Sequence, residues 1–174
     1  MTLPRDGFLT LKQLTALVNS DEIDTVLVGF PDLYGRLMGK RFDATFFLET
    51  AERQGTHCCD YLLTVDMEMT PVAGYELANW ESGYGDFHMV PDLSSLRVAS
   101  WLEKTALVIC DLHNGATAAP IDESPRAILN RQVAAASKAG FDALGASELE
   151  YYMFEDSFYA SMYLHIFHLF QNNP

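Results

Sequence analysis

Positive charge is scarce in this sequence. Eleven Lys and Arg side chains stand against 24 Asp and Glu, leaving a net charge of −13. A nucleic-acid binder needs a basic face to displace counterions from phosphates, and a protein that docks on anionic lipid needs the same. We therefore expect no nucleic-acid partner and no membrane partner. Cysteine is scarce too. Cys58, Cys59 and Cys110 form an odd set with two members adjacent, which makes neither a disulfide framework nor a zinc knuckle. No apolar run reaches the roughly 18 residues that cross a bilayer. The opening residues, Met1-Thr2-Leu3-Pro4-Arg5-Asp6-Gly7, lack a charged-then-apolar leader pattern. The cytoplasm is the expected compartment.

What is present is an ordinary globular balance, 49% apolar and 20% charged. The 174 residues suffice for one domain with a core, or for a small domain plus part of another. Thr10 with Gln13 reads as a capping box ahead of a helical stripe of Leu11, Leu14, Leu17 and Val18. Asp24 to Phe30 is β-branched and apolar; Pro31, Asp32 and Gly35 supply turn chemistry, and Leu37 to Phe42 returns as a second strand. Asp43 caps a second helix, with Phe47 and Ala51 on one face. Further strands are predicted at Tyr61 to Val65, around Leu96 to Ala99, and at Thr105 to Cys110. Between Thr70 and Asp92, proline and glycine without periodicity predict a long functional loop. The pattern is that of a small α+β sheet domain ending near Asn114. After a small-residue linker, Ser124-Pro125-Arg126 opens a helix whose stripe is Leu129, Val133 and Ala136 and whose stop is Gly140.

The most informative run is Ala146-Ser147-Glu148-Leu149-Glu150-Tyr151-Tyr152-Met153-Phe154. Its aromatic and apolar residues favour a strand, which would project Glu148 and Glu150 from one face with their Cα atoms about 6–7 Å apart. Buried carboxylates need compensation, and a pair of divalent cations would provide it through hard oxygen donors. On spacing alone two other readings stay open. One is the wet face of an edge strand; the other is a glycosidase pair flanking a scissile bond at roughly 5–9 Å. Elsewhere, Gly83-x-Gly85 is not followed by a helix N-terminus, so a phosphate loop is not expected. Asp66 and Glu68 read as solvated, Arg36, Lys40 and Arg41 as surface or subunit-contact charges, and His165 and His168 as core or surface histidines.

Several stretches in order resemble the glutamine synthetase family up to about Phe158. They are Phe30-Pro31-Asp32-Leu33-Tyr34-Gly35-Arg36-Leu37-Met38-Gly39-Lys40, Pro91-Asp92-Leu93-Ser94-Ser95-Leu96-Arg97, Thr105 to Asp111, Ser124-Pro125-Arg126 and Glu148-Leu149-Glu150. The resemblance implies a β-grasp-like N-terminal domain over residues 10–114, then the first helix and strand of a glutamine-synthetase catalytic domain over 120–158. Residues 159–174 form a tail unlike the family, read as a truncated or frameshifted end.

The resemblance also implies an activity. Family members join the γ-carboxylate of glutamate to ammonia or an amine through γ-glutamyl phosphate. They use ATP as co-substrate and Mg²⁺ or Mn²⁺, and they assemble as rings. Glu148 and Glu150 would each hold a different metal ion. Asp60 stands in Cys58-Cys59-Asp60-Tyr61-Leu62, where the family carries Phe-Asp-Gly-Ser-Ser. It would reach the neighbouring subunit's active site, hold the amine and help remove its proton; a turn-capping carboxylate is the alternative. That departure, with Trp80 to Phe87, looks more like the ligases that act on larger amines. The remaining metal ligands, nucleotide contacts and glutamate-binding arginine of the family find no match. The expectation is therefore a ligase by descent, inactive as given. The alternative is a non-catalytic β-grasp module for interaction or oligomerisation.

Overall fold

A computed structural model describes residues 7–151, 153, 157, 159 and 160. The chain divides into two compact units, Met1–Asp142 and Ala143–Pro174. In the first, helix α1 (Leu11–Asn19) starts at the predicted capping box. The Thr10 Oγ1 accepts from Gln13 N at 3.2 Å and the Gln13 side chain accepts from Thr10 N at 2.8 Å. Leu14 and Leu17 are buried, as the stripe requires. Strands β1 (Thr25–Pro31) and β2 (Leu37–Asp43) form an antiparallel hairpin in which Val26 faces Phe42 and Gly29 faces Gly39.

Asp43 then caps a continuous helical segment by accepting from Thr45 N and Phe46 N. The segment runs through α2 (Ala44–Phe46), a π-helical turn (Phe47–Ala51) and α3 (Glu52–Gln54), and its Phe47 and Ala51 are buried as predicted. Strands β3 (Thr56–Cys59), β4 (Asp86–Val98) and β5 (Thr105–Asn114) complete one five-stranded mixed sheet in the order β2-β1-β5-β4-β3. Only β1 and β5 run parallel. In β1 the buried side chains Val26, Val28 and Phe30 alternate with half-buried Thr25, Leu27 and Pro31, so one face carries the core. Val26, Val28, Val108 and Cys110 are fully buried and pack with Leu14, Phe47, Met89 and Leu96 in one core. The cysteines are free, and burial pushes the Cys58 and Cys110 thiols up to about 12.

Four sequence expectations need correction. Tyr61 to Val65 is not a strand. Asp60–Leu63 forms a 3₁₀ turn, closed where Thr64 N and Oγ1 both donate to Tyr61 O, and the third strand lies just before it at Thr56–Cys59. The strand expected around Leu96 to Ala99 is the end of the 13-residue β4, which already begins inside the predicted loop, at Asp86. A register shift between Asp92 and Arg97 bends it, and the Ser95 hydroxyl bridges the gap, donating to Asp92 O at 2.6 Å and accepting from Ile109 N at 2.8 Å.

Arg36 is not a simple surface charge. Its guanidinium donates to the buried Asp32 carboxylate and to the carbonyls of Asp66 and Met67, which ties the hairpin to a loop 30 residues away. Finally, Glu148 and Glu150 do not lie on a strand. The described residues of that run are irregular and exposed. An extended segment becomes a strand only where a neighbouring backbone satisfies its N–H and C=O groups, and the described residues of the second unit form no strand.

Helix α4 (Pro125–Lys138) forms as read, with Ser124 accepting from Ala127 N at 3.2 Å. It belongs to the first unit. Arg126 donates to Asp111 of β5 at 2.7 Å and to Asp92 of β4, so three of the stretches that carry the family resemblance meet at one ion cluster. Desolvation works against the Asp92 charge. Hydrogen bonds from Ser94 and the Arg126 guanidinium outweigh it and hold the carboxyl below its ordinary value. A depressed carboxyl contributes stability above its unfolded value and loses it as pH falls through the folded one. Arg126→Met should therefore destabilise the unit by about 1–3 kcal/mol at neutral pH. The deficit should shrink in acid, where Asp92 is protonated in both proteins. Urea titrations at several pH values would check it, and a pH-independent deficit would assign the loss to packing alone.

Candidate functional site

Asp60 is placed by the edge of the sheet. Strand β3 pairs antiparallel with β4, setting Cys58 against Phe87 and Cys59 against Asp86, so Asp60 arrives beside Gly85. Two hydrogen bonds lock it there: Asp60 N donates to Gly85 O at 3.0 Å, and Gly85 N donates to Asp60 Oδ2 at 2.8 Å. A Cβ at position 85 would stand 3.3 Å from Oδ2, so the glycine admits a close approach that a larger residue would crowd. The other oxygen, Oδ1, is sealed from solvent and has no hydrogen-bond partner.

Burial pushes the Asp60 carboxyl above its ordinary value, and the nearby Asp86 charge adds to the rise against the Gly85 and Tyr61 backbone donors. An acceptor oxygen left unpaired in this way is costly. Asp60 opens onto a cleft of about 430 Å³ shared with His57, Asp86, Phe87, Asn114 and Gly115. No Lys or Arg lines it. Of its lining residues, His57 is held by stacking on His88 at 4.9 Å, and His88 Nε2 donates to Gln54 O at 2.7 Å. An acidic, partly apolar cleft edged by the Asp60 and Asp86 carboxylates suits a small protonated amine.

Glu148 and Glu150 belong to the second unit and stand exposed on irregular backbone. Among the described residues no group of three or more His, Cys, Asp or Glu side chains is arranged to hold a metal ion. His165 and His168 lie outside the described residues, as does most of the 159–174 tail. Gly85, set aside as part of a phosphate loop, serves a carboxylate instead. His57, Asp86 and Asn114 escaped the sequence reading because the strands that gather them are far apart in the chain. The one available signal was the Gly85-Asp86 step at the end of the glycine-rich stretch. Among the described residues no helix is long and apolar enough to cross a membrane.

A mixed α+β sheet with an acidic edge cleft is the class defined so far. Its fold is similar to that of a solved complex of GmaS with ADP, with a TM-score of 0.54 over 72% of this chain and 26% of that one, at 21% identity. No family model matches the chain. Several curated relatives do. The chain is 43% identical over 152 residues to the gamma-glutamylethanolamide synthetase of Streptomyces coelicolor, covering 86% of this chain and 32% of the relative. It is 36% identical over 140 residues to the glutamate–isopropylamine ligase of a Pseudomonas species, covering 80% of this chain and 30% of the relative. The chain thus spans about a third of the length of these relatives. It belongs to the glutamine synthetase family.

Proposed function

We propose that the whole protein is an ATP-dependent carbon–nitrogen ligase that joins the γ-carboxylate of glutamate to an amine through γ-glutamyl phosphate. Residues 10–114 are its β-grasp-like N-terminal domain, and residues 120–158 open its catalytic domain. The observation that most supports this reading is Asp60, the residue the family resemblance nominates. It lines an acidic cleft and keeps a buried carboxylate oxygen without a partner. A protonated amine donates to the Asp60 carboxylate, which helps remove its proton, and the free amine attacks the acyl carbon as the phosphate leaves. In a ring of subunits Asp60 performs this role in the neighbouring active site.

The ethanolamide synthetase and the isopropylamine ligase are named for amines larger than ammonia, which supports an organic amine as acceptor. Glu148 and Glu150 are proposed as ligands for Mg²⁺ or Mn²⁺. The described residues do not by themselves fit such an ion: two exposed carboxylates on irregular backbone supply too few fixed donors. The site requires donors from elsewhere in the whole protein, and the 174 residues alone are inactive.

Phosphate release from ATP, with glutamate and a panel of ammonia, ethanolamine and isopropylamine, tests the proposal. The whole protein should release phosphate in an amine-dependent manner, fastest with an organic amine, and the 174-residue chain should not. Release that ignores every amine would sink the ligase reading. Full-rate turnover by the 174-residue chain would sink the requirement for donors beyond it.

A further inference from the structure

The loop between the 3₁₀ turn and β4 forms a second, open cavity of about 540 Å³, lined by Tyr75, Glu76, Asn79, Trp80, Glu81 and Tyr84 among others. Trp80 is 84% exposed, an unusual state for the largest apolar side chain. It is not loosely presented. Its ring meets Tyr84 edge-on at 5.1 Å, and Tyr84 meets Tyr61, the residue after Asp60, edge-on at 5.7 Å.

The backbone beneath these rings is fixed by Asn79. Its Oδ1 accepts from Glu81 N at 3.0 Å and Ser82 N at 2.8 Å, while its Nδ2 donates to Tyr75 O at 3.0 Å. The cavity therefore combines aromatic rings held in place with two carboxylates, and no basic side chain lines it. Aromatic faces attract cations through the ring quadrupole, and they favour cations that shed water easily.

We propose that this cavity binds an organic ammonium ion, the protonated form of a primary amine with an apolar substituent. The cationic head lies against the Trp80 and Tyr84 rings with Glu76 and Glu81 as counter-charge, and the substituent covers apolar ring surface. Inorganic ammonium has no substituent to bury and holds its water strongly, so it gains little. The loop is thereby a selector for organic amines, joined to the Asp60 cleft through Tyr84 on Tyr61 and Gly85 on Asp60. Its biological role rests on the ligase reading, but the binding can be measured without turnover.

The chain has two tryptophans, and Trp101 is exposed and replaceable, so Trp101→Phe leaves Trp80 as the sole indole reporter. Fluorescence of that variant is titrated with isopropylammonium chloride at constant ionic strength, with ammonium chloride and isopropanol as comparators. We expect a saturable response to isopropylammonium and at least about tenfold weaker responses to both comparators. Tyr84→Leu, or Glu76→Gln with Glu81→Gln, should each weaken isopropylammonium binding by about tenfold. Circular dichroism should show an unchanged fold, and the exposed glutamine pair decides the matter if Tyr84→Leu unfolds.

An equal response to isopropanol would reduce the site to an apolar groove and overturn the proposal. So would an equal response to ammonium, or unchanged affinity in the glutamine pair. Binding that persists in a whole protein without amine-dependent turnover would sink the ligase reading alone. Turnover without loop binding would sink this inference alone.

Discussion

In the whole protein, Asp60→Asn should lower amine-dependent turnover by about 10²–10⁴-fold while leaving affinity for ATP and metal nearly unchanged. The substitution keeps an acceptor for Gly85 N but removes the negative charge that holds a cationic amine. The same change should slightly stabilise the 174-residue chain at neutral pH. Asp60 has a raised carboxyl, so its charged form is disfavoured in the folded state, and that penalty applies above the folded pKa. As pH falls through it, the carboxyl protonates and the advantage of asparagine closes. Thermal melts from neutral to acid pH would show the gap and its closure. Equal melting temperatures at every pH would mean that Asp60 carries no burial penalty and merely caps its turn.

The in-trans role has its own measurement. Mixing an Asp60→Asn subunit with a Glu150→Ala subunit of the whole protein should restore activity in mixed rings, because some sites combine two intact halves. Mixed rings that assemble but stay inactive would return Asp60 to the turn-capping reading.

Gly39→Ala should destabilise the first unit by about 3 kcal/mol or more, a large part of the roughly 5–15 kcal/mol available to a typical domain. Gly39 faces Gly29 across the hairpin, and a Cβ at position 39 would fall 2.1 Å from Val28 O and 2.6 Å from Gly29 Cα. Both are backbone atoms of β1, so the clash is relieved only by parting β1 from the edge strand β2. Gly35→Ala is the control. It sits at a positive φ of 78° in the turn with nothing within 4 Å, so only the backbone preference, about 1 kcal/mol, is lost. Urea unfolding of both variants would compare them, and equal losses would remove the steric argument.

Several features were legible in the chain because their causes lie within a few residues. Thr10 needs only Gln13, Asp43 only Thr45 and Phe46, and Ser124 only Ala127, so these helix starts were readable before any fold was known. The hairpin was readable too, since two apolar runs bracket a turn whose Asp32 side chain accepts from Tyr34 N and Arg36 N. Family membership followed from ordered motifs, and it needed no geometry.

Where the deciding partner is distant in sequence, the outcome belonged to the tertiary structure. Tyr61 to Val65 has strand composition, yet Asp60 is bonded to Gly85, 25 residues on, and the chain turns there instead. Arg36 looked like a surface charge until Asp66 and Met67 came within reach of its guanidinium. Glu148 and Glu150 have strand-like neighbours in sequence, yet among the described residues of their unit there is no strand to pair with and the segment is irregular. Local pattern proposes an extended segment; only a neighbouring backbone can make it a strand, because its hydrogen bonds must end on another part of the chain.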